Sequence, residues 1–222
     1  MPSEASEYLG VAFAKLDASK FNHFHYFIYI RTSMFKMFLG PMCSGKSLEM
    51  IEEFSRLKIA DKRIGLFQPE RNVRDEHIES RNGGKLEAIK ISKIADLLHF
   101  DEVDHIGIDE IHMFNHDQIS KVKNDAKIIK CLLQRGKQIS VSRLDLDYQG
   151  RMFNIIKVFL ELGPDVVVYK RSVCSQCKML NAAYSQIMNK SQTPITRGLP
   201  PVNPDDGNLL YEPRCRNCFV KK

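Results

Sequence analysis

The chain has 222 residues, 43% of them hydrophobic and 27% charged, with a formal net charge of +6. That is chain enough for one sizeable domain with a small appendage, in the composition of a globular protein and not of a disordered or fibrous one. No apolar run reaches bilayer-spanning length, so no membrane partner is expected, and the positive charge is spread along the chain, which allows nucleic-acid binding without demanding it.

Residues 1–33 precede the first predicted strand. The start Met1-Pro2-Ser3-Glu4 is acidic and leads to no small-residue cleavage site, unlike a secretory signal. Glu4, Glu7 and Asp17, with no arginine before Arg31, argue against a transit peptide. His23 and His25 lack a third partner and are not expected to bind metal. The segment is expected to be a poorly ordered extension, or to lie upstream of a true start at Met34. A chain beginning at Met34 is therefore expected to fold and keep its turnover. Loss of either, followed by thermal unfolding and activity assays, would show that the extension packs on the domain.

Gly40-Pro41-Met42-Cys43-Ser44-Gly45-Lys46-Ser47 fits the phosphate-loop pattern G-x-x-x-x-G-K-[ST]. Its glycines let the backbone turn sharply and aim N–H groups at phosphates. Lys46 supplies a point charge for the β- and γ-phosphates, and the Ser47 hydroxyl is a magnesium ligand. The flanks have the required form. Met34 to Leu39 is a short apolar strand, and Leu48, Met50, Ile51, Phe54 and Leu57 recur at helical spacing as far as Ala60. The helix N-terminus adds partial positive charge toward an anion. These features predict a nucleotide-binding protein.

Arg63 to Phe67 is a predicted strand ended by Gln68-Pro69. The polar stretch from Glu70 to Lys85, with Arg71, Arg74 and Arg81, is expected to be a loop beside the phosphates. Leu86 to Ile91 alternates like a strand, and Ser92 is placed to cap a short helix. The apolar strand His105 to Ile108 ends in Asp109-Glu110. A carboxylate at such a strand end reaches magnesium, which is the role expected of Asp109. Glu110 then stands at the catalytic edge, where it can accept a proton from an attacking hydroxyl. A helix is expected over 115–135, with Ile119, Val122, Ile128, Ile129, Leu132 and Leu133 buried and Gly136 ending it, followed by a strand over 137–142. Alternating strands and helices predict an α/β fold with a mostly parallel sheet.

Four of the six cysteines form two Cys-x-x-Cys pairs, Cys174/Cys177 and Cys215/Cys218. Two such pairs complete a tetrahedral four-thiolate zinc site, closed and therefore structural, in a reducing compartment and not a disulfide framework. The excursion between them carries Pro194, Pro200, Pro201, Pro204 and Gly207 and is expected to be ordered loop. Cys43 lies at a helix N-terminus inside the phosphate loop.

The phosphate loop at 40–47, Ile-Asp-Glu at 108–110, Leu-Asp-Leu-Asp-Tyr-Gln-Gly-Arg-Met-Phe at 144–153 and Tyr-Glu-Pro-Arg-Cys-Arg-Asn-Cys at 211–218 together resemble type II thymidine kinases, in order and spacing from about Met34 onward. The resemblance implies a RecA-like nucleotide-binding kinase domain over 34–171 and a zinc-binding lasso domain over 172–222. It further implies ATP with Mg2+, thymidine as acceptor, a structural Zn2+, a cytoplasmic homotetramer and no nucleic-acid partner. It makes Glu110 the general base, Asp109 and Ser47 the magnesium contacts, and Lys46 with Arg74 the phosphate contacts. Met42, Leu144, Tyr148, Phe153 and Tyr211 fall where the family holds the thymine ring. The chain departs from the family pattern at Cys43, Asn72, His112 and Met113, by one extra residue after Cys177, and in segment 199–210, which lacks a short glycine turn. Two other readings stand beside the kinase. Asp109-Glu110-Ile111-His112 spells the DExH box of helicase-like ATPases, and a non-catalytic nucleotide- and zinc-binding relic of the kinase fold is the third.

Overall fold

A computed structural model of the chain describes residues 33–72, 77–79, 85–114, 118–203 and 209–221. The expectations for residues 1–32, and for Arg74 and Arg81, lie outside these described residues.

Strand β1 (Met34–Leu39) shows how the sequence builds a two-faced layer. Phe35, Met37 and Leu39 join one core cluster, and Phe38 joins the other. This is the period-2 alternation of a strand covered on both faces. Helix α1 (Lys46–Ile59) packs Met50, Ile51 and Phe54 against Phe38 and Leu66. Strands β2 (Ile64–Pro69), β3 (His77–Glu79), β4 (Lys85–Glu87), β5 (Ile89–Ile91) and β6 (His105–Asp109) follow. Helix α2 (Ile119–Gln134), β7 (Gln138–Arg143), helix α3 (Asn154–Glu161) and β8 (Val166–Tyr169) complete the main layer. Its six strands run parallel in the order β5-β2-β6-β7-β1-β8. Val122 and Ile129 of α2 and Ile155 and Phe159 of α3 belong to the cluster that holds Phe35, Met37 and Leu39.

Gly107 sets how closely α1 approaches the sheet. A Cβ there would fall against Leu66 and within 2.8 Å of Phe54 Cζ. The α/β class with a parallel sheet is thus as the sequence predicts, and four local expectations are corrected. The second strand continues through Gln68 to Pro69, where it pairs with Ile91. The alternating run 86–91 is two strands, because β4 pairs antiparallel with β3 while β5 forms an edge of the main sheet. Ser92 does not cap the short 3-10 helix Ile94–His99. The Asp96 carboxylate does, accepting from the Ser92 and Lys93 N–H groups at 3.1 Å each and from the Ser92 hydroxyl at 2.9 Å. Ile119, at the first turn of α2, is exposed, and Ala126 takes a buried place on the inward stripe.

The last third forms an antiparallel sheet, β10-β9-β11, from β9 (Tyr184–Met188), β10 (Pro194–Ile195) and β11 (Leu210–Arg214). The proline-rich excursion is therefore partly strand, with Pro194 at a short edge where its missing N–H costs no interior ladder bond.

Candidate functional site

The phosphate-loop residues Gly40 to Gly45 connect β1 to α1, with Lys46 and Ser47 opening the helix. Gly40 (φ 146°) and Gly45 (φ 82°) adopt backbone conformations that a side chain disfavours, and a Cβ at Gly40 would strike the Lys170 carbonyl oxygen. Lys46 is buried and folds back over the loop, its Nζ donating to the Pro41 carbonyl at 2.6 Å and the Ser44 hydroxyl at 3.3 Å. Burial pulls its ammonium below the usual range, and the Glu110, Asp109 and Asp145 carboxylates oppose that pull. Three carboxylates therefore converge on this one cation.

Strand β6 ends beside the loop because it lies next to β7, which in turn pairs with β1. Its last residue, Asp109, accepts from the Ser47 hydroxyl at 3.3 Å through Oδ2. The other oxygen, Oδ1, is buried and makes no hydrogen bond among the described residues. Burial pushes this carboxyl up, against the charge of Lys46. A buried carboxylate with one open oxygen, next to a hydroxyl, is a donor set that fits a hard divalent cation.

Glu110 leaves the strand in the left-handed region (φ 51°, ψ 37°), a conformation sparsely used by residues with a Cβ. Its Oε2 lies 3.2 Å from Nδ1 of the buried His112, whose ring packs on Phe153 with centroids 5.2 Å apart. Phe153 also carries the Arg143 guanidinium over its ring at 4.6 Å. The half-buried Leu144 lies beside them, its carbonyl accepting from Arg143 Nε. Sequence reasoning missed two charged groups here, Arg143 and Asp145. Burial pushes the Asp145 carboxyl up and holds the Arg143 guanidinium down at about 9. The signal available in the sequence was a basic residue ending a buried strand.

The other expected base contacts hold the excursion in place. The Tyr148 hydroxyl donates to the Leu199 carbonyl at 2.7 Å and accepts from its N–H at 3.2 Å. The Tyr211 hydroxyl donates to the Asn203 carbonyl at 2.8 Å. The Gln149 amide donates to the Thr196 carbonyl at 2.9 Å. The phosphate loop is tied to the same region, since Met42 N–H donates to the Ser185 hydroxyl and the Ser172 hydroxyl to the Cys43 carbonyl, each at 2.9 Å. Asn72 is buried and its carbonyl accepts from Lys90 Nζ at 2.7 Å.

Cys174, Cys177, Cys215 and Cys218 bring their four sulfur atoms within 4.8 Å of one another. Cys177 and Cys215 sulfurs are 3.7 Å apart; thiolates around a tetrahedral metal at about 2.3 Å stand about 3.8 Å from each other. Burial pushes the Cys174 thiol up, but backbone N–H groups of Cys177, Cys215 and Gln176 outweigh it and hold the thiol at about 6. A thiol poised to ionise inside a closed set of four is suited to a metal ion.

A family model described as "Thymidine kinase" matches residues 33–219. Among curated relatives, the thymidine kinases of two Chloroflexus aurantiacus strains, J-10-fl and Y-400-fl, are each 28% identical over 184 residues, covering 81% of this chain and 91% of theirs. Among solved structures, S. aureus homoserine dehydrogenase at pH 6.0 aligns with a TM-score of 0.28 and 14% identity, covering 70% of this chain and 38% of that one, a likeness that carries no weight here.

Proposed function

We propose, from the premise that this chain belongs to the thymidine kinase family, that it transfers the γ-phosphoryl group of ATP to the 5′-hydroxyl of thymidine. The observation that carries the reading is the meeting of Lys46, Ser47, Asp109 and Glu110 at one sheet edge, beside the ring of Phe153. Gly40 to Gly45 would cradle the phosphates with backbone N–H groups, and Lys46 would leave the Pro41 carbonyl to meet their charge. Magnesium on Ser47 and Asp109 would supply charge neutralisation for the β- and γ-phosphates. Glu110 would take the 5′-hydroxyl proton, with His112 Nδ1 beside its carboxylate to orient it. Met42, Leu144, Tyr148, Phe153 and Tyr211 would position the nucleoside, Tyr148 and Tyr211 acting through the loop segments they hold. Arg74 is a further phosphate contact in this reading. The four cysteines would hold a structural zinc, and the assembly is a cytoplasmic homotetramer.

Purified protein with Mg-ATP and thymidine is expected to yield thymidine monophosphate. ATP hydrolysis stimulated by DNA, without a nucleoside product, would favour the helicase-like motor. Nucleotide binding without turnover would favour the relic. Lys46→Ala is expected to lower kcat/KM for ATP about ten- to a hundredfold, the loss of one charge-assisted contact. Steady-state kinetics with varied ATP check this, and an unchanged value would remove Lys46 from the phosphate site.

A further inference from the structure

Arg143 is the largest side chain that the fold buries completely, at 0% exposure. Its Nε is satisfied by the Leu144 carbonyl, whereas both terminal nitrogens are buried and make no hydrogen bond among the described residues. A desolvated guanidinium with two open donors is costly unless an acceptor arrives to meet it. Glu110 and Asp145 act on it electrostatically, yet neither carboxylate hydrogen-bonds its terminal nitrogens. Below about pH 9 it keeps its charge and all its donors.

The surroundings say where an acceptor would come from. Arg143 is the last residue of β7 and pairs with Leu39, the residue before the phosphate loop, so it lies at the sheet edge that carries Asp109 and Glu110. Its direct contacts are the Phe153 ring and the Leu144 carbonyl, which belong to two of the residues assigned above to the acceptor base. The inference rests on that assignment. With Nε occupied, the terminal pair offers a planar fork of parallel N–H bonds, which matches two adjacent acceptors. Cytosine offers such a pair in O2 and N3, and guanine in O6 and N7. Thymine separates its two carbonyls by an N–H donor and offers the fork one oxygen at a time.

We propose that Arg143 is a specificity-determining residue whose terminal fork reads the acceptor base, admitting a deoxynucleoside with two adjacent acceptors alongside thymidine. Full-length protein is assayed with thymidine, deoxycytidine and deoxyguanosine, both for turnover and for competitive binding without ATP. At least one of the last two is expected to bind within about tenfold of thymidine. Removing one acceptor from that ligand, as 3-deaza-2′-deoxycytidine or 7-deaza-2′-deoxyguanosine, is expected to weaken its binding about ten- to a hundredfold, and shows which base supplies the pair. This arm uses the unaltered protein and does not depend on a variant folding. Arg143→Lys keeps the charge and loses the fork; it is expected to raise KM for the two-acceptor nucleoside about ten- to a hundredfold relative to thymidine.

Thymidine binding with neither deoxycytidine nor deoxyguanosine detectable would overturn the proposal, as would deaza analogues that bind equally well. A loss of kcat in Arg143→Lys with all KM values unmoved would place the fork on the transferred phosphoryl group and overturn it too. Absence of phosphorylation of any nucleoside defeats the kinase reading alone, because the binding competition still decides the role of the fork.

Discussion

Replacing Glu110 by Gln is expected to lower kcat for thymidine phosphorylation about 10²–10⁴-fold, the usual contribution of a positioned general base. The amide preserves the shape of the side chain and removes its proton affinity. ATP affinity should change little, because the Lys46 contacts to Pro41 and Ser44 do not involve this side chain. The left-handed backbone at Glu110 turns the chain directly after Asp109 and brings the carboxylate to His112 and within reach of the Lys46 charge. Single-turnover kinetics and nucleotide titration separate the two effects. Near-normal phosphorylation by Glu110→Gln would show that the base is another group, and Asp145, which acts on the same lysine, is then the carboxylate to replace.

Cys215→Ser is expected to reduce zinc content from about one per chain to near zero and to lower the thermal midpoint. Cys174 and Cys215 are buried, so an unmetallated cluster would leave thiols packed against one another without the bonds that hold β9 and β11 to the preceding turn. The six-stranded domain has its own core, so the loss should fall on the C-terminal sheet first. Activity should fall with it, since Ser172, Ser185, Thr196 and Leu199 bind the phosphate loop and the 148–149 turn through backbone and hydroxyl contacts. Elemental analysis in reducing buffer checks the metal, and differential scanning calorimetry the stability. No zinc in the wild-type protein, or unchanged zinc in Cys215→Ser, would refute the site.

The sequence alone determined what depends on local pattern. Apolar runs separated by helical periodicity prescribe a parallel α/β layer, because a strand buried on both faces must be apolar throughout and the return path must be a covering helix. The phosphate loop, the Asp109 strand end and the paired cysteines are contiguous motifs, and their chemistry is written in residue type and spacing. The tertiary structure decided what depends on residues far apart in the chain. The run 86–91 alternates evenly, yet it divides between two sheets because β3 and β2 offer different partners. The hydroxyls of Tyr148 and Tyr211 face carbonyls of the excursion, a pairing that no local pattern encodes. His112 and Arg143 reach the two sides of one aromatic neighbourhood only because β6 and β7 are adjacent and Phe153 follows the turn after β7. An arginine ending a strand is ordinarily exposed in solvent. Here the chain closes over it, and the burial that makes its open fork chemically meaningful exists only in the folded molecule.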